Sequence, residues 1–134
     1  MYRIGIDFGG TNIAVGLTKD LKVVCKASLP TKMGKRHVDE MVKDMAVLCR
    51  QLTEKAGITM KEVASVGIAS PGVVNSEKGM VEYYCGMNLV NYPMADILSK
   101  ELGGYKPGYM ENDANAAALA ERRQTARAEK ERTN

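Results

Sequence analysis

The sequence predicts an α/β domain: a mixed β-sheet with helices on its faces, its elements in the order β-β-β-α-β-α-β-α. Two observations carry that expectation. The first 30 residues hold three apolar segments separated by turns far too short for a crossover, so neighbours must run antiparallel. Beyond them, strand-like and helix-like segments alternate, which is the pattern of parallel strands joined through helices.

Each element has its own signal. YRIGIDF alternates as a half-buried strand, and NIAVGLTKD follows after only GGT, a tight glycine turn. TKDLK supplies a second polar turn, and LKVVCKASLP is a third strand that Pro30 closes. TKMGKR is a polar linker. From His37 the period becomes helical: Val38, Met41, Val42, Met45, Leu48 and Leu52 form an apolar face, and Gly57 is placed to end the helix. Methionine suits such a face because its flexible thioether fills irregular gaps. VASVGIAS reads as a buried fourth strand that stops at SPG, and EKGMVEYY as a short hairpin arm. YPMADILSKELGG is a short amphipathic helix whose closing glycines suit a C-cap. YKPGYM is the last strand, although Pro107 and Gly108 interrupt its pairing, and ENDANAAALAE turns into an alanine-rich helix.

Composition narrows the functional classes. The 134 residues suffice for one domain with a core and fall short of a typical two-domain enzyme. The net charge of +3 is weak, and five basic residues sit in the last thirteen positions, so the body of the domain is near neutral. Nothing calls for nucleic acid or a membrane as partner. Arg3 and Asp7 interrupt any secretory leader, and no apolar run approaches the roughly 18 residues of a membrane span. Cys25, Cys49 and Cys85 are odd in number and widely spaced, which suggests free thiols in a reducing cytoplasm and packing groups more than ligands. His37 reads as a surface residue.

The stretch GIDFGGTNIAVGL carries the chemistry. Two adjacent glycines between strands let backbone N–H groups face a ligand closely, a concavity suited to phosphate oxygens. Thr11 can add a hydroxyl to the same anion, and Asp7 can hold a hydrated Mg²⁺ that offsets nucleotide charge. A plain hairpin turn with a solvated aspartate accounts for the same residues. Neither a G-x-x-x-x-G-K-[ST] loop nor a G-x-G-x-x-G entering a helix is present.

Taken together and in this order, GIDFGGTNIAVGL, GIASPGVVN and MENDANAAALAE resemble the amino-terminal half of a ROK-family sugar kinase. The resemblance covers residues 2–121. It implies a ribonuclease-H-like domain of the actin-like ATPase group, and a glucokinase-like reaction in which a hexose hydroxyl attacks the γ-phosphate of ATP. By resemblance, Asp7, Gly9, Gly10, Thr11 and Asn12 would face the nucleotide phosphates and Mg²⁺. Asn12 stands where many family members carry lysine. Asp113 would be the catalytic base that accepts the hydroxyl proton. It is equally placed to cap the helix that follows. Asn112 would bind sugar hydroxyls through its amide or serve as a turn residue. Gly72 would let backbone approach the sugar or serve as an ordinary turn glycine. Asn88 lies near an asparagine that lines the family's sugar pocket, but VEYYCGMNLVNY departs from the P-N-L-x-x-W pattern and puts Tyr92 near the tryptophan position. Glu111 would brace the loop.

The resemblance also implies features that these residues lack: a second domain with a histidine and glutamates for the sugar, a zinc loop and the adenosine pocket. RRQTARAEKERTN, residues 122–134, holds no Val, Ile, Leu, Met or aromatic residue, so it reads as a charged tail foreign to the family. The expectation is a truncated kinase domain over residues 1–121, inactive alone and prone to self-association as a homo-oligomer. Besides a different actin-like phosphotransferase acting on a non-sugar substrate, two other readings compete. One is a non-catalytic remnant that pairs with another subunit. The other is a sugar-sensing regulator of the same family, which would carry a DNA-reading helix-turn-helix before the first strand.

Overall fold

Alternation in the first two strands sets the sheet. In the computed structural model, which describes residues 1–84, 89–104 and 109–112, β1 (Tyr2–Phe8) buries Ile4, Ile6 and Phe8 and exposes Arg3, Gly5 and Asp7. Strand β2 (Asn12–Lys19) runs antiparallel to it and buries Ile13, Val15 and Leu17. The register pairs Ile4 with Leu17, Ile6 with Val15 and Phe8 with Ile13, so all six side chains share one face. Strand β3 (Lys22–Pro30) pairs antiparallel with β2 and forms the sheet edge.

Helix α1 (Val38–Ala56) covers β2 and β3 with a stripe of Met41, Val42, Met45, Leu48, Cys49 and Leu52. Its ends are closed locally. The His37 Nδ1 accepts the Asp39 N–H, and Gly57 takes a left-handed φ of 73° while Ile58 N–H donates to Thr53 O. Each large apolar side chain on this stripe contributes roughly 1.5–3 kcal/mol by leaving water.

After a single 3-10 turn at Met60–Glu62, β4 (Val63–Ser70) lies parallel to β1 and sets Val66 and Ile68 beside Ile4 and Ile6. The segment expected to be a hairpin arm is larger than that. Strands β5 (Val73–Asn75), β6 (Met80–Tyr84) and β7 (Leu89–Tyr92) form a separate three-stranded antiparallel sheet. Tyr92 therefore ends a strand, and α2 (Met94–Glu101) begins at Met94. The last strand is also displaced from expectation. Strand β8 is Tyr109–Asn112, so Glu111 and Asn112 continue the strand and do not open the alanine-rich helix. The rest of that helix, from residue 113, and the charged tail lie outside the described residues.

The main sheet has the order β3-β2-β1-β4-β8, with β8 parallel to β4. Antiparallel strands at the start and parallel ones after the crossover make the mixed sheet that the element order predicted. No helix among the described residues is long and apolar enough to cross a membrane.

Candidate functional site

Because β1, β4 and β8 are parallel, their carboxyl ends meet at one edge of the sheet. Register fixes the rows: Asp7 lies opposite Ala69, Ala69 opposite Glu111, and Ser70 opposite Asn112. With strands roughly 4.8 Å apart, β1 and β8 are about 10 Å from one another across β4. The glycine turn after β1 and the Pro71–Gly72 turn after β4 therefore open on the same end of the sheet as Asn112. Crevices at the carboxyl ends of parallel strands are the usual ligand positions in open α/β sheets.

The turn after β1 is held mostly by its carbonyls. Gly9 N–H donates to Asn12 O at 3.0 Å, Thr31 Oγ1 donates to Gly9 O at 2.8 Å, and Thr31 N–H donates to Thr11 O at 2.9 Å. Gly10, Thr11 and Asn12 are exposed, and none of the hydrogen bonds among the described residues takes the Gly10 N–H. The two glycines differ in their surroundings. A Cβ at Gly9 would stand 2.7 Å from Asn12 O, whereas one at Gly10 would meet nothing within 4 Å. Gly9 is thus dictated by the protein's own backbone, and Gly10 is not.

The turn after β4 belongs to the first kind. Gly72 has φ +87°, and a Cβ there would lie 2.4 Å from Tyr83 O and 2.9 Å from Tyr84 Cβ. The small sheet folds directly over this position. The turn-glycine reading of Gly72 is sufficient to explain the residue, with or without a sugar. The Tyr92 hydroxyl donates to Asp39 Oδ1 at 2.5 Å, tying β7 to the first turn of α1. Burial, then the Asp39 carboxylate, push the Tyr92 phenol up, so it stays protonated.

Asp7, the last residue but one of β1, is exposed beside this turn. The backbone of Asn112 is in β8, while Asn88 and Asp113 lie outside the described residues. No group of three or more His, Cys, Asp or Glu among the described residues could hold a metal ion, so none forms a zinc cage. One carboxylate, as Asp7 would supply, can be enough for hydrated Mg²⁺, which keeps most of its waters. Cys25 and Cys49 are free thiols, and burial pushes Cys49 up to about 12, leaving it a protonated packing group. Sequence reasoning missed Thr31. It sat in a segment read as a polar linker, yet its side chain is fully buried.

Comparison with known proteins decides the family. The ROK family matches residues 3–133. The chain belongs to the ROK family. It is 32% identical to a glucokinase of Thermotoga maritima over 121 residues, 89% of this chain and 36% of that one. It is also 28% identical to a xylose repressor of Caldicellulosiruptor bescii over 120 residues, covering 89% of this chain and 29% of the repressor. Among solved structures, a ROK family glucokinase from Streptomyces griseus in complex with glucose and AMPPNP superposes with a TM-score of 0.73. That match has 27% identity and covers 88% of this chain and 35% of the glucokinase. The chain thus spans about a third of the length of these relatives. The mixed sheet is the actin-like ATPase fold of ROK kinases, as the motifs implied.

Proposed function

We propose that this chain carries the phosphate-binding and hydroxyl-activating side of a ROK sugar kinase, which transfers the γ-phosphoryl group of ATP to a hexose hydroxyl. One observation supports the reading above all: the glycine turn after β1 and the end of β8 open on one edge of the sheet, about 10 Å apart. That span suits an alcohol set against a terminal phosphoryl group. Gly10 and Asn12 would offer N–H groups to phosphate oxygens, Thr11 its hydroxyl, and Asp7 would hold Mg²⁺ through water. Bound Mg²⁺ supplies charge neutralisation on the transferring group. Asp113, next in sequence after Asn112, would accept the hydroxyl proton, and Asn112, Gly72 and Asn88 would line the sugar side.

The chain alone should not turn over. The adenosine pocket and the opposing wall that excludes water would come from sequence beyond this third of a kinase, and residues 122–134 would contribute nothing to them. The test is titration of the ¹⁵N-labelled chain with Mg²⁺–AMPPNP. Selective shifts of the Gly10 and Asn12 amides are expected. No response at about millimolar nucleotide, a concentration matching only weak binding, overturns the phosphate assignment. A coupled ATP-consumption assay with glucose, fructose and N-acetylated hexosamines should give background rates, and robust turnover contradicts the inactive-fragment reading.

Similarity to a xylose repressor supports a second reading, a sugar-responsive regulator. A regulator needs the sugar wall and no nucleotide. Sugar binding without any amide response to Mg²⁺–AMPPNP would favour it.

A further inference from the structure

We propose that Thr31 is a positioning residue for the glycine turn, the last link of a polar strut that aims the turn's N–H groups at an anionic phosphoryl ligand. The inference rests on the phosphate-binding reading above and deepens it.

The geometry begins in α1. Asp44 Oδ2 pairs with Arg36 Nη1 at 2.8 Å, with both side chains largely shielded at 28% and 17% exposure. The same guanidinium donates from Nε to Thr31 O at 3.0 Å and from Nη2 to Pro30 O at 3.1 Å. Arg36 thereby clamps the backbone where β3 ends. The chain leaves that point through Lys32, which takes a left-handed φ of 54°, a conformation costly to a side-chain-bearing residue. Thr31 itself has 0% exposure. A buried hydroxyl must find an acceptor, and this one finds Gly9 O at 2.8 Å, 22 residues away, while its own N–H holds Thr11 O at 2.9 Å.

Peptide planarity turns those two bonds into an aiming device. In a trans peptide the C=O of one residue and the N–H of the next point in opposite directions. No peptide bond among the described residues is cis. Drawing the Gly9 carbonyl onto Thr31 therefore turns the Gly10 N–H away from Thr31. Drawing in the Thr11 carbonyl does the same to the Asn12 N–H. An ordinary tight turn would use the first carbonyl to accept the fourth residue's N–H. Here Thr31 occupies that carbonyl instead, and the turn's own hydrogen bond runs the other way, from Gly9 N–H to Asn12 O. Donors fixed before the ligand arrives need no reorganisation when it binds.

The experiment uses this chain with Thr31→Val, which keeps the shape and the backbone N–H but removes the hydroxyl, and Thr31→Ser, which restores it. Two readouts are taken: affinity for Mg²⁺–AMPPNP from the Gly10 and Asn12 amides, and hydrogen exchange at the Gly9 and residue-31 amides. Valine should weaken nucleotide binding about tenfold or more and speed exchange at those two amides by a similar factor, with the Ile6 and Val15 amides of the sheet unchanged. Serine should stay within about threefold of the parent on both readouts. Unchanged affinity in Thr31→Val overturns the proposal. If the parent itself shows no nucleotide response, the phosphate reading fails separately. Exchange then decides the strut: faster local exchange in valine alone upholds Thr31 as the turn's anchor, and equal exchange removes it. Should the valine variant not fold, Arg36→Gln replaces it, with a smaller loss of affinity expected, about threefold, and an unchanged turn overturning the strut.

Discussion

Two turns meet at the carboxyl edge of the main sheet, one after β1 and one after β4, and each contains glycine for a different reason. Gly72 sits at φ +87° beneath the Tyr83 carbonyl, where no side chain fits. Gly10 sits in a turn whose neighbours leave its missing Cβ in open space. The first glycine serves the fold, and the second has no service to the fold that its surroundings reveal. The difference teaches that a glycine-rich motif has to be separated residue by residue before any part of it is credited to a ligand.

The largest effect should come from the fold-serving side. Gly72→Ala forces a left-handed alanine and a Cβ 2.4 Å from Tyr83 O. Backbone strain and overpacking together should cost about 3 kcal/mol, read as a lower urea midpoint. A loss below about 1 kcal/mol would mean the small sheet lifts away cheaply, and the contrast between the turns would weaken. Gly9→Ala comes next. Its Cβ would press on Asn12 O at 2.7 Å, an atom already held by the Gly9 N–H at 3.0 Å, so about 2 kcal/mol is expected from the same measurement. That places Gly9 with Gly72, although it lies one residue from Gly10.

These distinctions bear on what the sequence alone could tell. The first two strands of the main sheet were legible because their buried residues recur strictly at every second position, and α1 because its apolar residues recur at helical spacing up to Gly57. The small sheet was not. Strands of 3, 5 and 4 residues are too short for a period to register, and Val73, Tyr83 and Val90 expose apolar side chains on a surface where burial would otherwise mark the strand. At the site, the Asp7 to Asn12 motif was visible because its residues are contiguous. Thr31 was invisible because its partner Gly9 lies 22 positions away and nothing local distinguishes a latch from a linker. The roles of Gly9 and Gly10 were inseparable for a similar reason: the atoms that would collide with a Cβ are a matter of three-dimensional neighbourhood.

A turn at the opposite end of the sheet sharpens the comparison. Between β2 and β3, Asp20 and Leu21 both adopt left-handed backbone, φ 50° and 71°, without any glycine. Two-residue hairpins of this kind favour Asp-Gly. Leu21→Gly should raise stability by about 0.5–1 kcal/mol, since relief of left-handed strain exceeds the added freedom of the unfolded chain. Thermal melting reads this as a rise of a few degrees, and a fall would show that the exposed leucine packs better than its 60% exposure indicates.

The smallest effect is expected at Gly10, and its sign is what matters. Its backbone lies outside the left-handed region and its Cβ would touch nothing within 4 Å. Alanine there removes freedom from the unfolded chain without strain in the folded one, which should stabilise the protein by about 0.5 kcal/mol. Gly9→Ala and Gly72→Ala move the other way. A more stable Gly10→Ala variant that also loses its amide response to Mg²⁺–AMPPNP would mean that glycine at this position costs the fold stability, and that close approach of a ligand is what requires it. A destabilised variant with nucleotide binding intact would make Gly10 one more structural glycine, and the two turns would no longer differ in kind.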